Sequence, residues 1–370
     1  DIPSYAWELA RWGYRLRGEP VPEEVSGRVR EGEVYFDFSL PGSTHGLCFA
    51  CDVPTCARLR DGSVLLDRMV RGQKAKLFYK PFWRRADFSD ERYMPVFSPR
   101  AYPGQQVEMR LRYEKLAGEL LILTPYVRNS LSGAEISLSP TLLDASDADV
   151  ALRFVLPEVD GGLIDEIGVR IESAAPGKFA LSGTLRPTLL RIWGPACYTL
   201  RPALLKKEFG SVIPFSHNHG AWELEGGRLT LLCEEEAQAF TGNYFMRNCQ
   251  LEAHITPRNG TQALVALRAQ GARRGYYAGL YGAGRAAIMV MHEGEMRLLA
   301  QMPLDWVLDR EYTLHLRAQG DRLTLTVDGK TLEATDGSLA YGMAGYAMFA
   351  MGRADFGDLT IREFTSDEEE

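Results

Sequence analysis

The stretch Ala221-Trp222-Glu223-Leu224-Glu225-Gly226-Gly227-Arg228-Leu229 reads as a short strand, a glycine turn and the start of a second strand. The same texture continues to the end of the chain. Arg228-Leu229-Thr230-Leu231-Leu232, Gln262-Ala263-Leu264-Val265-Ala266-Leu267-Arg268 and Tyr312-Thr313-Leu314-His315-Leu316-Arg317 are strand-like runs. Arg322-Leu323-Thr324-Leu325-Thr326-Val327 leads into Asp328-Gly329. That dipeptide accepts positive φ and predicts a two-residue hairpin ending in Lys330. Asp358-Leu359-Thr360-Ile361-Arg362-Glu363-Phe364 closes the series. Short strands cut by turns predict a β-sandwich over residues 201–366.

Upstream, the texture is also β. Val34-Tyr35-Phe36-Asp37-Phe38 opens it, and Glu119-Leu120-Leu121-Ile122-Leu123 and Val150-Ala151-Leu152-Arg153-Phe154-Val155-Leu156 are apolar runs. Ile167-Gly168-Val169-Arg170-Ile171-Glu172 alternates at period two, which puts one face in the core and one in water. A first sandwich is expected over 30–200, with Pro195–Lys207 as the linker to the second. Before it, Tyr5, Leu9, Trp12 and Leu16 mark one face of a helix, capped by Ser4 and ended by Gly18, with Pro20 and Pro22 forbidding continuation. That helix and its linker occupy 1–29. It must dock on another surface or be the stub of a preceding domain, because one amphipathic helix cannot bury its stripe alone. Residues 367–370 form an acidic tail.

The order "W-x-L-x-G-G-x-L" from Trp222, "L-x-V-D-G" from Leu325 and "F-x-x-L-x-I" from Phe356 resembles concanavalin-like (laminin-G-like) jelly rolls. The resemblance implies a sandwich that binds a ligand, often a glycan. Gly162-Leu163-Ile164-Asp165-Glu166-Ile167-Gly168-Val169-Arg170-Ile171, followed by Leu189-Leu190-Arg191-Ile192-Trp193-Gly194, resembles the last strands of galactose-binding-like jelly rolls. Tyr5-Ala6-Trp7-Glu8-Leu9-Ala10-Arg11-Trp12-Gly13-Tyr14-Arg15-Leu16 with its proline exit is similar to the region behind the catalytic domain of bacterial ADP-ribosylglycohydrolase-like proteins. That likeness implies an accessory role beside a hydrolase whose helical, Mg²⁺-binding catalytic half is absent here.

Four constellations could carry chemistry. His45-x-x-Cys48-x-x-Cys51-x-x-x-x-Cys56 offers ligand types for tetrahedral Zn²⁺, although Cys48 and Cys51 on one strand would point to opposite faces. Leu77-Phe78-Tyr79-Lys80-Pro81-Phe82-Trp83-Arg84-Arg85 sets aromatics beside cations, with Tyr79, Phe82, Trp83 and Arg84 as the ligand platform of the first sandwich. His217-Asn218-His219 reads as a turn with satisfied polar side chains or, with a third ligand, a metal pair. Arg268 with Tyr277 and Tyr281 would give the second sandwich a concave aromatic face, the two tyrosines sharing a side by their even spacing. Ordinary strand tyrosines and a sheet-pinning Arg loop are the plainer readings.

Hydrolytic signatures are missing. Sandwich glycosidases need two carboxylates across the bond, and their "E-x-D-x-x-E" strand does not occur. The 3-keto-disaccharide hydrolases share the resembled fold and carry "G-x-E-x-Q-x-x-D", where this chain reads Gly275-Tyr276-Tyr277-Ala278-Gly279-Leu280-Tyr281-Gly282, without an acid. No "G-x-S-x-G", phosphate-binding loop or dinucleotide fingerprint is present. A divergent glycan hydrolase would have to draw acids from loops, such as Glu234, Glu235 or Glu236.

Composition narrows the classes further. The 370 residues suit two domains, and 45% hydrophobic with 25% charged residues is ordinary for a globular protein. The net charge is −7, of which Asp367, Glu368, Glu369 and Glu370 supply four. Arginines are spread rather than striped, so no nucleic-acid footprint appears. No stretch approaches 18 uncharged apolar residues, so no membrane helix is expected. Six cysteines are too few for a disulfide scaffold at this length and favour a reducing, cytoplasmic compartment. The expectation is an all-β chain of two tandem β-sandwich (jelly-roll) domains behind a short helix. They would bind a carbohydrate or a related sugar-containing ligand such as ADP-ribose, without cofactor. An oligomer-setting structural module is the third possibility.

Overall fold

Pairing in this chain is antiparallel throughout the described strands, which is how alternating faces and short turns are expected to assemble. The computed structural model describes residues 3–28, 30–40, 47–51, 57–60, 63–80, 101–117, 121–129, 132–143, 149–174, 181–208 and 210–365. They divide into two units. One holds the described residues through Gly194 except 160–163; the other holds 160–163 and Pro195 onward.

The first unit is a sandwich of two six-stranded sheets. One sheet runs Asp149–Val155, Gln106–Ala117, Leu181–Trp193, Ser63–Met69, Ala57–Arg60, with Val34–Asp37 also paired to Leu181–Trp193. The other runs Leu47–Cys51, Lys74–Tyr79, Glu166–Ser173, Leu121–Arg128, Glu135–Ser137, with Thr141–Leu143 also paired to Leu121–Arg128. Val107, Met109, Leu111, Leu190 and Ile192 of the first sheet share one buried cluster with Ala75, Leu77, Val169 and Ile171 of the second. Each valine, leucine, isoleucine or methionine side chain among them contributes about 1.5–3 kcal/mol by leaving water. The period-two segment behaves as its pattern requires: Ile167, Val169 and Ile171 are buried, while Arg170 and Glu172 reach the other face.

The N-terminal helix spans Pro3–Leu16 and ends with Gly18 at φ 68°, whose N–H donates to the Arg15 carbonyl at 3.0 Å. This is a left-handed glycine cap. Leu9 is 42% and Leu16 80% exposed, so these two members of the apolar stripe remain uncovered. The segment read as linker after Pro22 holds a second short helix, Glu23–Ser26. Pro22 cannot continue a helix but can precede one, and Glu23 and Glu24 suit the positive end of a first turn.

The second unit is a sandwich of an eight-stranded and a seven-stranded sheet. The eight-stranded sheet runs Ala221–Glu225, Arg228–Cys233, Gly352–Glu363, Cys249–Asn259, Tyr312–Gln319, Arg322–Val327, Lys330–Thr335. Its last member is Cys197–Leu200, paired to the end of Gly352–Glu363, so part of the expected linker is a strand. Tyr198 and Leu200, buried at period two, drive that pairing. The seven-stranded sheet runs Ser216–Asn218, Ala237–Thr241, Met343–Met348, Gln262–Gly271, Arg274–Tyr281, Arg285–His292, Glu295–Pro303. Asp328 and Gly329 have φ of 50° and 72° and close Val327 onto Lys330, the two-residue hairpin the dipeptide predicts.

Register sorts the seven-stranded sheet into two faces. Ala239, Tyr346, Val265, Ala278 and Ile288 form one row. Tyr346 stacks on Phe356 of the eight-stranded sheet at 4.2 Å, so this row faces the inter-sheet core. Phe240, Gly345, Ala266, Tyr277 and Met289 form the neighbouring row and face away from that core.

Candidate functional site

Twice at one end of the second unit the chain changes sheets. Strand Ser216–Asn218 of the seven-stranded sheet passes through His219-Gly220 into Ala221–Glu225 of the eight-stranded sheet. Strand Arg228–Cys233 passes back through Glu234-Glu235-Glu236 into Ala237–Thr241. The flanking strands pair on both sides, Asn218 with Gln238 and Ala221 with Leu232, so the two corners lie side by side. Between them is a cavity of about 390 Å³ lined by His219, Gly220, Ala221, Leu232, Glu234, Glu235 and Glu236.

The first corner is shaped by backbone. His219 and Gly220 have φ of 53° and 73°, and the His219 carbonyl accepts from the Trp222 indole N–H at 3.0 Å. A Cβ on Gly220 would lie 2.6 Å from the Ala237 Cβ and 2.7 Å from Leu231 Cδ1, so only glycine fits the crossing. His219 Nε2 stands 3.7 Å from Glu236 Oε1. Leu232 is 55% exposed and supplies an apolar wall. Beneath the second corner Cys233 is fully buried, and burial, then the Glu236 carboxylate, pushes its thiol pKa up. The arrangement offers acceptors from three carboxyl groups, an imidazole and a small apolar surface. The volume is within the range of small-molecule clefts, about 300–1,000 Å³.

His217 precedes the corner on a strand, not in a turn. Its ring lies 5.8 Å from Trp222, and burial lowers its pKa to about 4, with Lys207 adding repulsion and a Val212 backbone bond opposing. Its Nε2 is buried without a hydrogen-bond partner. The fold therefore separates the two histidines: His217 is half-buried against Trp222, and His219 lies at the cavity.

Tyr79 is a core residue and not part of a surface platform; its ring meets Phe36 edge-on at 5.3 Å, and burial pushes its phenol pKa far up. The alternation of Lys74–Tyr79 explains this, since Ala75, Leu77 and Tyr79 share the inward face. Phe82, Trp83 and Arg84 lie outside the described residues, as do His45 and Cys56. Cys48 and Cys51 belong to strand Leu47–Cys51. Among the described residues no group of three His, Cys, Asp or Glu side chains is arranged to hold a metal ion.

Arg268 is 2% exposed and donates to the carbonyls of Arg247 at 2.9 Å, Gly320 at 2.7 Å and Leu339 at 3.0 Å. A buried guanidinium that donates to three carbonyls ties loops together. Tyr277 is 0% exposed, packs edge-on against Phe349 at 4.7 Å and has a hydroxyl without a partner. Tyr281 is half-buried at the strand end. The row containing Tyr277 is closed in this chain, with Phe240, Ala266 and Met289 buried beside it. The cavity that is open instead joins His219 to Glu234, Glu235 and Glu236, which are fifteen to seventeen positions away in sequence. His219 and the three glutamates stand in separate candidates in the sequence, and the pair of sheet-changing corners brings them together.

No protein-family model matches the chain, and no curated protein matches it. Several solved structures are similar to it. A carbohydrate-binding module, CBM66 from Bacillus subtilis, aligns at 19% identity and TM-score 0.38, over 40% of this chain and 95% of that one. The exoplasmic/lumenal domain of VIP36, bound to Ca²⁺ and Man3GlcNAc, aligns at 15% identity and TM-score 0.34, over 45% and 92%. Arcelin-5, a lectin-like defense protein from Phaseolus vulgaris, aligns at 7% identity and TM-score 0.33, over 46% and 98%. The fold described above rests on the strand pairings themselves.

Proposed function

We propose that this chain is a pair of non-catalytic binding modules for a carbohydrate or a related sugar-containing ligand. The second module would take the ligand in the cavity between its sheet-changing corners. The observation that carries this reading is the composition of that cavity's wall. Sugar hydroxyls donate hydrogen bonds, and Glu234, Glu235 and Glu236 accept them; the His219 ring adds a nitrogen, and Leu232 faces the ring's C–H surface. An accessory role beside a hydrolase, ADP-ribosylglycohydrolase-like, is the finer form of the proposal and makes ADP-ribose one ligand to test.

The test is a thermal-shift and calorimetric screen of the chain against mono- and oligosaccharides and ADP-ribose. A ligand that binds only the folded state at 100 times its Kd adds about 2.7 kcal/mol, which is roughly 5–10 °C for a module of this size. Glu235→Gln and Glu236→Gln are expected to reduce the shift strongly while leaving the unliganded melting temperature nearly unchanged. A sugar that binds both variants as well as the parent refutes the site, and the absence of any binding sugar refutes the function. One observation favours a second reading: three carboxyl groups share a cavity with an imidazole, as a divergent glycan hydrolase would require. Replacing all three with Gln and retaining turnover on a glycan would exclude it.

A further inference from the structure

A second candidate surface lies in the first unit, on the face of the Leu181–Trp193 sheet opposite its core. Register places Tyr35, Arg191, Glu108 and Arg153 in one row across four strands, with Trp193, Gln106 and Val155 in the row two residues along. The alternate positions, Ile192, Val107 and Met109, are buried in the sandwich, so these rows face outward. At about 4.8 Å between strands the row is about 14 Å long.

Its side chains are already held in place. Glu33 grips Arg191 bidentately, at 2.9 Å to Nε and 2.7 Å to an Nη, and the Arg191 guanidinium lies 4.3 Å over the Trp193 ring. Arg30 lies 3.9 Å over Tyr35. Arg110 Nε at 2.8 Å and an Arg153 Nη at 3.1 Å both donate to the same Glu108 oxygen. These bonds, the Arg110 bond foremost, hold the Glu108 carboxyl below its usual pKa. Each of those two arginines uses one donor on Glu108 out of five, and their side chains are 52% and 67% exposed. Four guanidiniums against three carboxylates, those of Glu33, Glu108 and Asp37, which register places in the row of Arg110, leave this face one charge positive in a chain whose net charge is −7. The adjoining Arg112 is paired with Asp149.

We infer that this face binds an anionic glycan, a sugar chain bearing carboxylate or sulfate groups. The remaining N–H groups of Arg110 and Arg153 would take the anionic group in a bidentate or paired fashion. Trp193 and Tyr35 would stack on the sugar rings. Glu108 is 7% exposed and taken up by its two arginines, so Glu33 is the carboxylate that accepts sugar hydroxyls. Both carboxylates repel the unbroken charge of a polyphosphate backbone, which is why the occupant is a glycan and not a nucleic acid. The surface belongs to the first unit and uses none of the cavity residues of the second, so either site can fail without the other.

The experiment is calorimetric titration of the full chain with trigalacturonate, a sulfated heparin-derived oligosaccharide, maltotriose and a single-stranded oligonucleotide, at low salt and at 0.5 M NaCl. At least one acidic oligosaccharide is expected to bind, weakening in high salt and weakening tenfold or more in the Arg110→Gln, Arg153→Gln double variant. Binding of the carboxylated but not the sulfated sugar, or the reverse, identifies which anion the pair of arginines fits. The double variant removes both charged partners of the 7% exposed Glu108, so its melting temperature is measured and the Arg110→Gln and Arg153→Gln single variants, each leaving one partner in place, are titrated beside it with weaker binding expected in each. Glu235→Gln is expected to leave this binding unchanged. The inference is overturned if neither acidic sugar binds, if maltotriose or the oligonucleotide binds as tightly, or if the double variant binds undiminished.

Discussion

Two titrating groups of the second unit should give its stability opposite pH slopes, and removing one should expose the other. Glu363 lies at the end of strand Gly352–Glu363 and accepts from the Ala196 N–H at 3.0 Å. Burial raises its pKa from 4.5 to about 7, against the lowering effect of that bond. Between pH 4.5 and 7 the folded state therefore binds more protons than the unfolded one. Stability from this group is greatest below pH 4.5, falls as pH rises through 7 and is flat above. His217 behaves oppositely. Its pKa falls from 6.5 to about 4, so the unfolded state binds more protons between those values, and stability present above pH 6.5 is lost as pH falls to 4. A shift of 2.5 units corresponds to about 3 kcal/mol. For both groups, whose residue surfaces are partly accessible, screening reduces this to about 1–2 kcal/mol. In the parent chain the two slopes oppose each other from pH 4.5 to 6.5. Glu363→Gln keeps an oxygen for the Ala196 N–H and removes the charge. The variant should match the parent at pH 4 and exceed it by about 1–2 kcal/mol at pH 7.5, with a steeper rise between. Urea unfolding followed by tryptophan fluorescence at pH 4, 5, 6 and 7.5 measures this. A difference that does not change with pH, or a variant less stable than the parent at pH 7.5, would refute the assignment of a strained carboxylate.

Two further substitutions probe the cavity corner and the closed face. Gly220→Ala places a Cβ 2.6 Å from Ala237 Cβ at a φ of 73° and should cost about 1–3 kcal/mol in urea unfolding; an unchanged midpoint would mean the corner is slack. Tyr277→Phe removes a buried hydroxyl that has no partner, so it should be neutral or slightly stabilising in thermal unfolding. A loss above about 1 kcal/mol would show that the hydroxyl is hydrogen-bonded.

The fold was legible where a local signal and a global requirement agreed. Asp328-Gly329 specifies a hairpin by conformation alone, and Ile167, Val169 and Ile171 specify a buried face by period alone; both elements form as their patterns require. Tyr79 and Tyr277 misled for one reason. Aromatic and arginine neighbours in sequence look like a ligand platform, but alternation sends every second residue of a strand to the opposite face, and chain-level burial, not composition, decides whether that face is open. Arg268 was legible as a notable residue and not as a structural one, because its three carbonyl partners come from Arg247, Gly320 and Leu339, which no spacing rule connects. The cavity is the clearest case of information absent from local sequence. His219 and Glu236 are ordinary surface residues in their own segments. They become one site because the chain changes sheets twice at the same end, and the pairings of Asn218 with Gln238 and Ala221 with Leu232 set the two corners against each other. The outward row through Arg191 and Glu108 has the same origin: its members lie on four strands, and only antiparallel register aligns them. In a sandwich, then, strand identity is written in single segments, whereas any site built across corners or across a sheet is written in the register between segments distant in sequence.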